Sequence, residues 1–440
     1  MNKFISKFFF YYPVTLLNGE FIAFYKPFYE KFQYASSVEQ FAYKQQKLKN
    51  IVDFSKKYSA FYSQSFTKNS DIKSISDFEA LPFLSKQDLI KNINLINTSK
   101  RRFAKVKTTG GSTGEPVKLF KTADALARER AATWRAYSWA GIGIGDKQGR
   151  FWGVPHSRKN SFKAKLIDTI ANRFRISAFN LSESSLELYY GKLKTYQPGY
   201  LYGYVSAIHT LTKYCMDKGY APIESIKAII TTSEVLSDKA RKDIKTFWGV
   251  NVFNEYGCGE VGSIAHECEF GRLHVMSDNL HVEIIDKDGK SAKTGEIVVT
   301  DYYNRATPLI RYKLGDFASW SDEICPCGRT LPVLHGIHGR AYDLIKTSSG
   351  REIHPESVIY IFEELQTKYA AFKKFQIVQV ELDRLEIRII KSGAWTDEIE
   401  GLISTAIKRV IDESMRISFI YCSELTREKS GKMRVVKSML

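Results

Sequence analysis

Between residues 122 and 250 the sequence alternates helix-like stretches with short apolar runs. One such run, residues 228–231, reads Ala-Ile-Ile-Thr and has the length of a short strand. An alternation of helices and short strands is typical of layered α/β folds. It predicts a large α/β domain in this part of the chain.

Two other regions have patterns of their own. In residues 263–312 strand-like runs lie close together, and after Gly339-Arg340 the pattern follows the order α-β-β-α-β. Strands are predicted at residues 280–285, 296–300, 308–312, 375–380, 385–389 and 417–421, and a helix over residues 399–410. We therefore predict an α/β fold with two domains. Residues 1–342 would form a large layered N-terminal domain with a β-rich subregion, and residues 343–440 a small α+β C-terminal domain.

The length of 440 residues fits two domains, because single hydrophobic cores stop growing at roughly 250–300 residues. Lys and Arg outnumber Asp and Glu by 65 to 48, a formal net charge of +17. The basic residues are dispersed and no nucleic-acid-binding motif accompanies them, so we expect a solvated basic surface and no nucleic-acid partner. Six cysteines are too few for a disulfide scaffold, and a cytoplasmic location is expected.

The N-terminal segment resembles a signal peptide only in part. Lys3 and Lys7 precede the apolar run of residues 8–17, but that run contains aromatic residues and a proline, and no small-x-small cleavage site follows it. Ten residues are too few to span a bilayer. We predict an aromatic segment packed on the main domain, with at most peripheral membrane contact as the alternative.

A loop rich in glycine and hydroxyl side chains begins after residue 107. Its backbone N–H groups and hydroxyls can converge on phosphate oxygens, because glycine places no Cβ in the way. The loop lacks the Gly-Lys-Ser/Thr ending of the ATPase P-loop, and an ordinary flexible loop is the alternative. The candidate phosphate-binding residues are Thr108, Thr109, Gly110, Gly111, Ser112, Thr113 and Gly114.

Five further stretches follow this loop in a fixed order. They are Thr232-Ser233-Glu234, Asn254-Glu255-Tyr256-Gly257-Cys258-Gly259-Glu260, Arg311-Tyr312-Lys313-Leu314-Gly315-Asp316, Gly339-Arg340-Ala341-Tyr342-Asp343 and Ser430-Gly431-Lys432. Together with the loop they make the chain similar to the adenylate-forming superfamily of acyl-CoA synthetases. Within that superfamily it resembles the phenylacetate-CoA ligase and capsular-polysaccharide-biosynthesis branch, and the resemblance covers nearly the whole chain.

The resemblance implies an ATP site. Tyr256, followed by Gly257, would stack on adenine, with Ser233 and Glu234 beside the base. Glu260 would hold Mg²⁺ against the phosphates, since a carboxylate is the ligand that this hard cation prefers. The ribose and phosphate contacts are implied for Asp316 and Arg340, the arginine adding charge-assisted hydrogen bonds.

The resemblance also implies a catalytic lysine in the C-terminal domain. Lys432, directly after a glycine, would neutralise the charge that develops as the carboxylate attacks the α-phosphate and pyrophosphate leaves. Lys429 is the weaker candidate for this role. A rotation about Asp343 would then prepare transfer of the acyl group.

The acyl acceptor is left open by the resemblance. The capsule branch implies an acid or amino acid destined for a sugar amine or a carrier, whereas the phenylacetate branch implies an aryl acid and coenzyme A. Gly259 stands where relatives usually carry Ser or Thr, and Val117 replaces a lysine that is common in other branches. Gly259 motivates one further alternative, a non-catalytic nucleotide-binding relative.

A second candidate site is a structural zinc centre. Cys325 and Cys327 bring two soft ligands together in a tight turn, and His266 and Cys268 share one face if their segment is a strand. The four make a Cys₃His set suited to tetrahedral Zn²⁺. Cys258 competes for one of the four places, and a group of buried free thiols is the alternative.

Overall fold

The computed structural model describes residues 1–66, 71–108, 118–152, 165–178, 181–340, 345–349, 352–353, 356–425 and 435–440. The chain divides into two compact units. Unit 1 comprises Met1–Leu314 and Ser319–Gly336, and unit 2 comprises Gly315–Ala318 and Ile337–Leu440. The predicted boundary between residues 342 and 343 lies outside the described residues and stays a prediction.

Helices predominate before residue 105, and strands predominate after residue 252. The α-helices are α1 Lys3–Ile5, α2 Tyr12–Leu17, α3 Ile22–Phe32, α4 Ser37–Tyr58, α5 Ala60–Ser65, α6 Ile75–Glu79, α7 Lys86–Ile96, α8 Ala123–Trp139, α9 Glu183–Tyr196, α10 Val205–Asp217, α11 Asp238–Trp248, α12 Glu356–Tyr369 and α13 Asp397–Val410; a π-helical turn spans Ser6–Tyr11 and a 3₁₀ turn Ser99–Phe103. The strands are β1 Lys105–Thr108, β2 Lys118–Lys121, β3 Gln148–Trp152, β4 Arg173–Ser177, β5 Tyr200–Tyr204, β6 Ala228–Thr232, β7 Val252–Cys258, β8 Gly262–Glu267, β9 Leu273–Val275, β10 Leu280–Ile285, β11 Thr294–Asp301, β12 Tyr312–Trp320, β13 Val333–Arg340, β14 Ile345–Lys346, β15 Glu352–Ile353, β16 Phe372–Glu381, β17 Arg384–Lys391, β18 Arg416–Tyr421 and β19 Val436–Ser438.

One large sheet organises the first part of the chain. Among the described residues its strands follow the order β10-β11-β12-β13-β9-β8-β7-β6-β5-β3-β4. The strands β4, β3, β5, β6 and β7 run parallel to one another, and β7 to β9 continue antiparallel. This layered α/β architecture with a β-rich part and a small second unit confirms the predicted fold class.

The central parallel strands β5 and β6 are buried on both faces, which explains their nearly continuous apolar character. Every residue of β5 and β6 is buried. Tyr202 packs with Tyr137 of α8 on one face, whereas Leu201 packs with α9, α10 and α11 on the other. Gly203 permits the close approach of β3, because a Cβ there would lie 2.1 Å from the carbonyl oxygen of Phe151.

Of the three strands predicted in the antiparallel part, two are confirmed. The hairpin β10–β11 pairs Leu280 with Asp301, as expected from the strands predicted there. The strand predicted over residues 308–312 was wrong, since β12 begins only at Tyr312. Arg311 prevents an earlier start. Its φ is 48°, and its guanidinium forms an ion pair of 2.7 Å with Glu283 and donates to the Leu81 carbonyl.

Unit 2 has its own sheet and core. Its strands follow the order β18-β17-β16-β19, with β14 and β15 as a separate two-stranded pair. Helices α12 and α13 pack on the sheet through a cluster that includes Phe362, Ile403 and Ile387. The side chain of Gln379 ties β14 to this sheet, because its amide accepts from the Lys346 N–H at 3.0 Å and donates to the Lys346 carbonyl.

The N-terminal segment forms helices that contact the rest of unit 1. The indole of Trp134 donates to the Tyr11 hydroxyl at 2.7 Å, and the buried Glu20 carboxylate pairs with Lys105 at 2.6 Å and with Arg130. Among the described residues, no helix combines the length and apolarity that a membrane crossing requires.

Candidate functional site

The carboxyl ends of parallel strands β5 and β6 place two predicted nucleotide-binding residues. Ser233 follows β6 directly and has a left-handed backbone with φ 69°. The Glu234 carboxylate accepts hydrogen bonds from the Ser206 N–H at 2.6 Å and the Ser206 hydroxyl at 3.0 Å. Ligands of open parallel sheets bind at the carboxyl ends of the strands, so Glu234 stands where such a site is expected.

The next strand, β7, carries Tyr256 and Gly257 at its carboxyl end. The β7–β8 pairing has an irregularity between these two residues, and a Cβ on Gly257 would lie 2.5 Å from the Gly262 carbonyl oxygen. Only glycine therefore fits at this point of the turn. Glu260 lies in the turn itself, with its side chain half-buried.

The predicted phosphate loop lies only partly within the described residues. Thr108 ends β1, and β1 pairs antiparallel with β2, so the two strands form a hairpin around residues 109–117. Thr109, Gly110, Gly111, Ser112, Thr113 and Gly114 lie outside the described residues, as does the side chain of Thr108. The hairpin agrees with the two extended stretches expected on either side of the loop.

A partly buried ion pair anchors this hairpin beside the β7–β8 turn. Lys121 of β2 is only 1% exposed, and its ammonium lies 2.7 Å from the Glu129 carboxylate of α8. Burial alone would lower the pKa of Lys121, but the carboxylates of Glu129 and Asp301 raise it. A Cβ on Gly262 would overlap the Glu129 carboxylate, which shows how closely Glu129 approaches that turn. The pair thus fixes the hairpin and the turn that carries Glu260 against the same helix.

Stacked rings stand at the carboxyl ends of β3 and β5. Trp152 lies parallel to Tyr204, with ring centroids 4.8 Å apart, and 5.8 Å from Tyr202. The Arg150 guanidinium lies 4.7 Å from the Trp152 ring centroid and 4.9 Å from that of Tyr202. The carboxyl ends of β3 and β5 thus meet in a cluster of aromatic rings and one cation.

Glu255 is a largely buried acid beside the site, and the sequence motifs assign it no role. Its carboxylate accepts a hydrogen bond of 2.9 Å from the Tyr137 hydroxyl. Burial raises the pKa of Glu255 to about 7, although the Tyr137 and Tyr202 hydroxyls and the Arg150 charge act in the opposite direction. The sequence does carry a signal for Glu255, because a charged residue stands there in a strand whose neighbours are largely apolar.

The remaining predicted nucleotide residues belong to unit 2. Asp316 is buried in β12, with 7% of its surface exposed. Arg340 ends β13, and its side chain lies outside the described residues. Lys432, Lys429 and the expected pivot Asp343 also lie outside them.

Three cysteines and one histidine meet in unit 1. The ligand atoms of Cys268, His274, Cys325 and Cys327 all lie within 4.8 Å of one another. The sulfurs of Cys268 and Cys325 are 3.5 Å apart, too far for a disulfide bond of about 2.05 Å. The Cys327 sulfur lies 3.3 Å from Nε2 of His274. Zn–S bonds of about 2.3 Å in a tetrahedral site imply similar separations between ligands, roughly 3.7 Å.

The local backbone and the histidine tautomer both suit a metal. Gly271 and Gly328, with φ of 71° and 74°, close the turns that carry Cys268 and the Cys325–Cys327 pair. Nδ1 of His274 lies 3.1 Å from the Leu331 carbonyl oxygen, which can only accept. Nδ1 therefore carries the proton and Nε2 keeps its lone pair towards the cysteines.

The prediction that His266 joins this group was wrong, and His274 takes its place. β8 ends at Glu267 and the chain turns at Cys268, so the alternation that would put residues 266 and 268 together does not continue. His266 instead lies near Ser263 and, at 3.9 Å, the Glu255 carboxylate. Cys258 is not part of the group within the described residues.

The chain is similar in sequence to several known proteins. The CapK C-terminal domain model matches residues 345–439, nearly all of unit 2. Protein CapK of Staphylococcus aureus is 29% identical over 290 residues, which are 64% of this chain and 64% of CapK. The phenylacetate-coenzyme A ligase of Thermus thermophilus is 23% identical over 430 residues, 90% of this chain and 95% of that protein.

The fold is similar to that of solved ligases. A crystal structure of 2-hydroxyisobutyryl-CoA ligase in the postadenylation state, in complex with an acyl-AMP, matches with a TM-score of 0.73. The two chains are 19% identical, and the match covers 92% of this chain and 90% of the other. O-succinylbenzoate coenzyme A synthetase from Bacillus subtilis, in complex with AMP, matches with a TM-score of 0.52 at 17% identity. That match covers 74% of this chain and 67% of the synthetase.

Proposed function

We propose that this chain, which is similar to the phenylacetate-coenzyme A ligases and to CapK, is an adenylate-forming enzyme that activates a carboxylic acid with ATP and transfers the acyl group to an amine or thiol. One observation carries the proposal. Glu234, Tyr256 and Glu260 lie at and just beyond the carboxyl ends of the adjoining strands β6 and β7, within the same unit as the hairpin around residues 109–117.

The proposed reaction has two steps. An oxygen of the substrate carboxylate attacks the α-phosphorus of ATP, the bond to the pyrophosphate oxygen breaks, and acyl-AMP and pyrophosphate form. The amine or thiol of the acceptor then attacks the acyl carbon, and AMP leaves with the electrons of the broken acyl–oxygen bond. The proton of the acceptor passes to solvent.

The site residues divide this work among them. Residues 108–114 would bind phosphate oxygens, while Tyr256, followed by Gly257, would stack on adenine with Ser233 and Glu234 at the base. Glu260, half-buried in its turn, would hold the Mg²⁺ that offsets phosphate charge. In unit 2, Asp316 and Arg340 would contact ribose and phosphate. Lys432 would stabilise charge in the transition state of the first step.

The two groups of relatives support different acyl acceptors. The likeness to CapK supports an acid or amino acid joined to a sugar amine or carrier in surface polysaccharide biosynthesis. The likeness to phenylacetate-coenzyme A ligases supports an aryl or acyl acid joined to coenzyme A. We favour the first, because the match to the CapK C-terminal domain covers nearly all of unit 2.

Exchange of radiolabelled pyrophosphate into ATP, with a panel of aryl acids, hydroxy acids and amino acids, tests adenylation. We expect exchange with one class of acid, and a loss of about a hundredfold in Lys432→Ala. Lys437→Ala in β19 is the matched control and should keep its exchange. If ATP binds but no acid supports exchange, the chain is a non-catalytic nucleotide-binding relative and the proposal fails.

We also propose that Cys268, His274, Cys325 and Cys327 hold a structural Zn²⁺. The mutual distances, the free Nε2 of His274 and the two glycine turns support a tetrahedral site. Four protein ligands leave no open position, so the ion would stabilise the fold and take no part in the reaction.

Elemental analysis of protein purified without chelator tests the zinc proposal. We expect one zinc per chain in the wild type and in His266→Ala, and a loss of zinc in His274→Ala and Cys325→Ala. Wild-type protein without zinc would refute a metal site and leave a group of buried thiols. Zinc retained by His274→Ala but lost by His266→Ala would refute the assignment of the histidine.

A further inference from the structure

The N-terminal segment buries several polar residues and exposes many apolar ones. Ser6, Thr15 and Glu20 are buried, with 0%, 5% and 1% of their surface exposed. Leu17 and Phe24, in contrast, are 87% and 76% exposed. A helix on a water-soluble surface normally shows the opposite arrangement. Such an exposed apolar face marks an interaction site.

The exposed residues form a stripe along one helix. Phe4, Phe8 and Tyr12 follow at intervals of four residues, and their rings contact in sequence with centroids 4.6 and 5.9 Å apart. Phe9, 67% exposed, lies one residue beyond Phe8. Residues four apart on a helix share a face, so these rings form one continuous aromatic surface. The other exposed large apolar residues of the segment are Met1, Ile5, Phe10, Leu16, Phe21 and Phe28.

This surface is held rigidly on unit 1. The Lys3 ammonium lies 2.7 Å from the Asp146 carboxylate, and the Asn172 amide donates to the Met1 carbonyl at 3.1 Å. Gly145 lets the segment approach closely, because a Cβ there would lie 2.3 Å from the Lys3 carbonyl oxygen. With the Tyr11–Trp134 hydrogen bond, these contacts use the polar side of the helices. The aromatic side is therefore presented outwards by a docked segment.

The charge of the segment indicates which kind of partner binds its aromatic surface. Residues 1–19 contain Lys3 and Lys7 and no acidic residue. The Lys7 ammonium lies 4.8 Å from the Phe8 ring centroid, so positive charge borders the aromatic stripe. The first acidic residue of the chain, Glu20, is neutralised by Lys105 and Arg130. The whole chain carries a formal net charge of +17. Aromatic and leucine side chains bordered by lysine suit the interface of an anionic lipid bilayer.

We propose that this aromatic surface docks the protein peripherally on an anionic membrane. A second copy of the chain is the competing occupant. A two-fold contact would bring Lys7 of both copies towards each other, with no acidic side chain from residues 1–19 to offset the two charges. Anionic lipid headgroups would pair with Lys7 and the bilayer interface accepts the rings, so the membrane meets both requirements.

Sedimentation of the full chain with vesicles tests the proposal. We expect binding to vesicles of phosphatidylcholine mixed with phosphatidylglycerol, and little binding to phosphatidylcholine alone. The double variant Phe9→Ser/Leu17→Ser should bind the mixed vesicles at least about tenfold more weakly, since each exposed side chain loses the gain from burying its apolar surface. Its thermal midpoint should match that of the wild type, because both residues are exposed.

The matched control is Leu188→Ser/Ile324→Ser, which removes two apolar side chains of unit 1 that are 52% and 94% exposed. It should keep the wild-type affinity for the mixed vesicles. Wild-type protein that does not bind them would overturn the proposal, as would an equal loss in the control. A lipid-free dimer that Phe9→Ser/Leu17→Ser converts to monomer would assign the surface to a second copy instead.

Discussion

Glu255 offers a sharp test of the buried region beneath the proposed nucleotide site. The substitution Glu255→Gln replaces the titrating carboxyl with a neutral amide of nearly the same shape. Its side-chain oxygen can still accept the hydrogen bond from Tyr137, which spans 2.9 Å in the wild type. The substitution therefore removes the charge and retains most of the packing.

The magnitude follows from the shift of the Glu255 pKa. Burial raises this pKa from 4.5 to about 7 in the folded chain. Because the folded state binds the proton more tightly than the unfolded state, its stabilising effect is present at low pH and is lost as the pH rises towards and beyond 7. Between pH 5.5 and 8 the wild type should lose about 2 kcal/mol of unfolding free energy that Glu255→Gln does not lose.

Urea unfolding of both proteins at pH 5.5 and pH 8, followed by tryptophan fluorescence, measures this difference. The variant should be the more stable protein at both pH values, because the unfolded carboxyl is already largely ionised at pH 5.5, and its advantage should be about 2 kcal/mol larger at pH 8. Other buried groups titrate equally in both proteins, so the comparison isolates Glu255. A stability difference between the two proteins that does not change with pH would refute a Glu255 carboxyl that is neutral when folded. A wild type that gains stability relative to the variant at pH 8 would show that the carboxylate is favourably paired.

Three further outcomes are expected. Asp278→Ala should lower the unfolding free energy, measured in urea, by about 3–5 kcal/mol. The reason is that the fully buried Arg135, which lies 2.8 Å from Asp278, loses its counter-charge. The double variant Arg135→Met/Asp278→Leu should recover much of this loss. Gly257→Ala should reduce pyrophosphate exchange more than tenfold, since its Cβ would meet the Gly262 carbonyl; unchanged exchange contradicts the tight turn. A chelator should lower the thermal midpoint of the wild type but not that of Cys325→Ala, and added zinc should restore it.

The sequence alone determined the fold class and the order of the motifs. These depend on local patterns: the alternation of helices and apolar strands, and short runs such as Asn254–Glu260 whose residue types and spacing can be read directly. Strands β16, β17 and β18 of unit 2 and the hairpin β10–β11 also followed from local runs of strand-forming residues bounded by turns.

The tertiary structure decided which residues meet across distant segments. His274 joins the cysteines in place of His266, because β8 ends one residue before Cys268 and the chain turns there. Arg311 delays β12 because its guanidinium is held by Glu283 and by backbone carbonyls far away in the sequence. The exposed aromatic face of the N-terminal helices likewise depends on what the body of unit 1 covers. Such outcomes depend on long-range packing, whose partners no local pattern names.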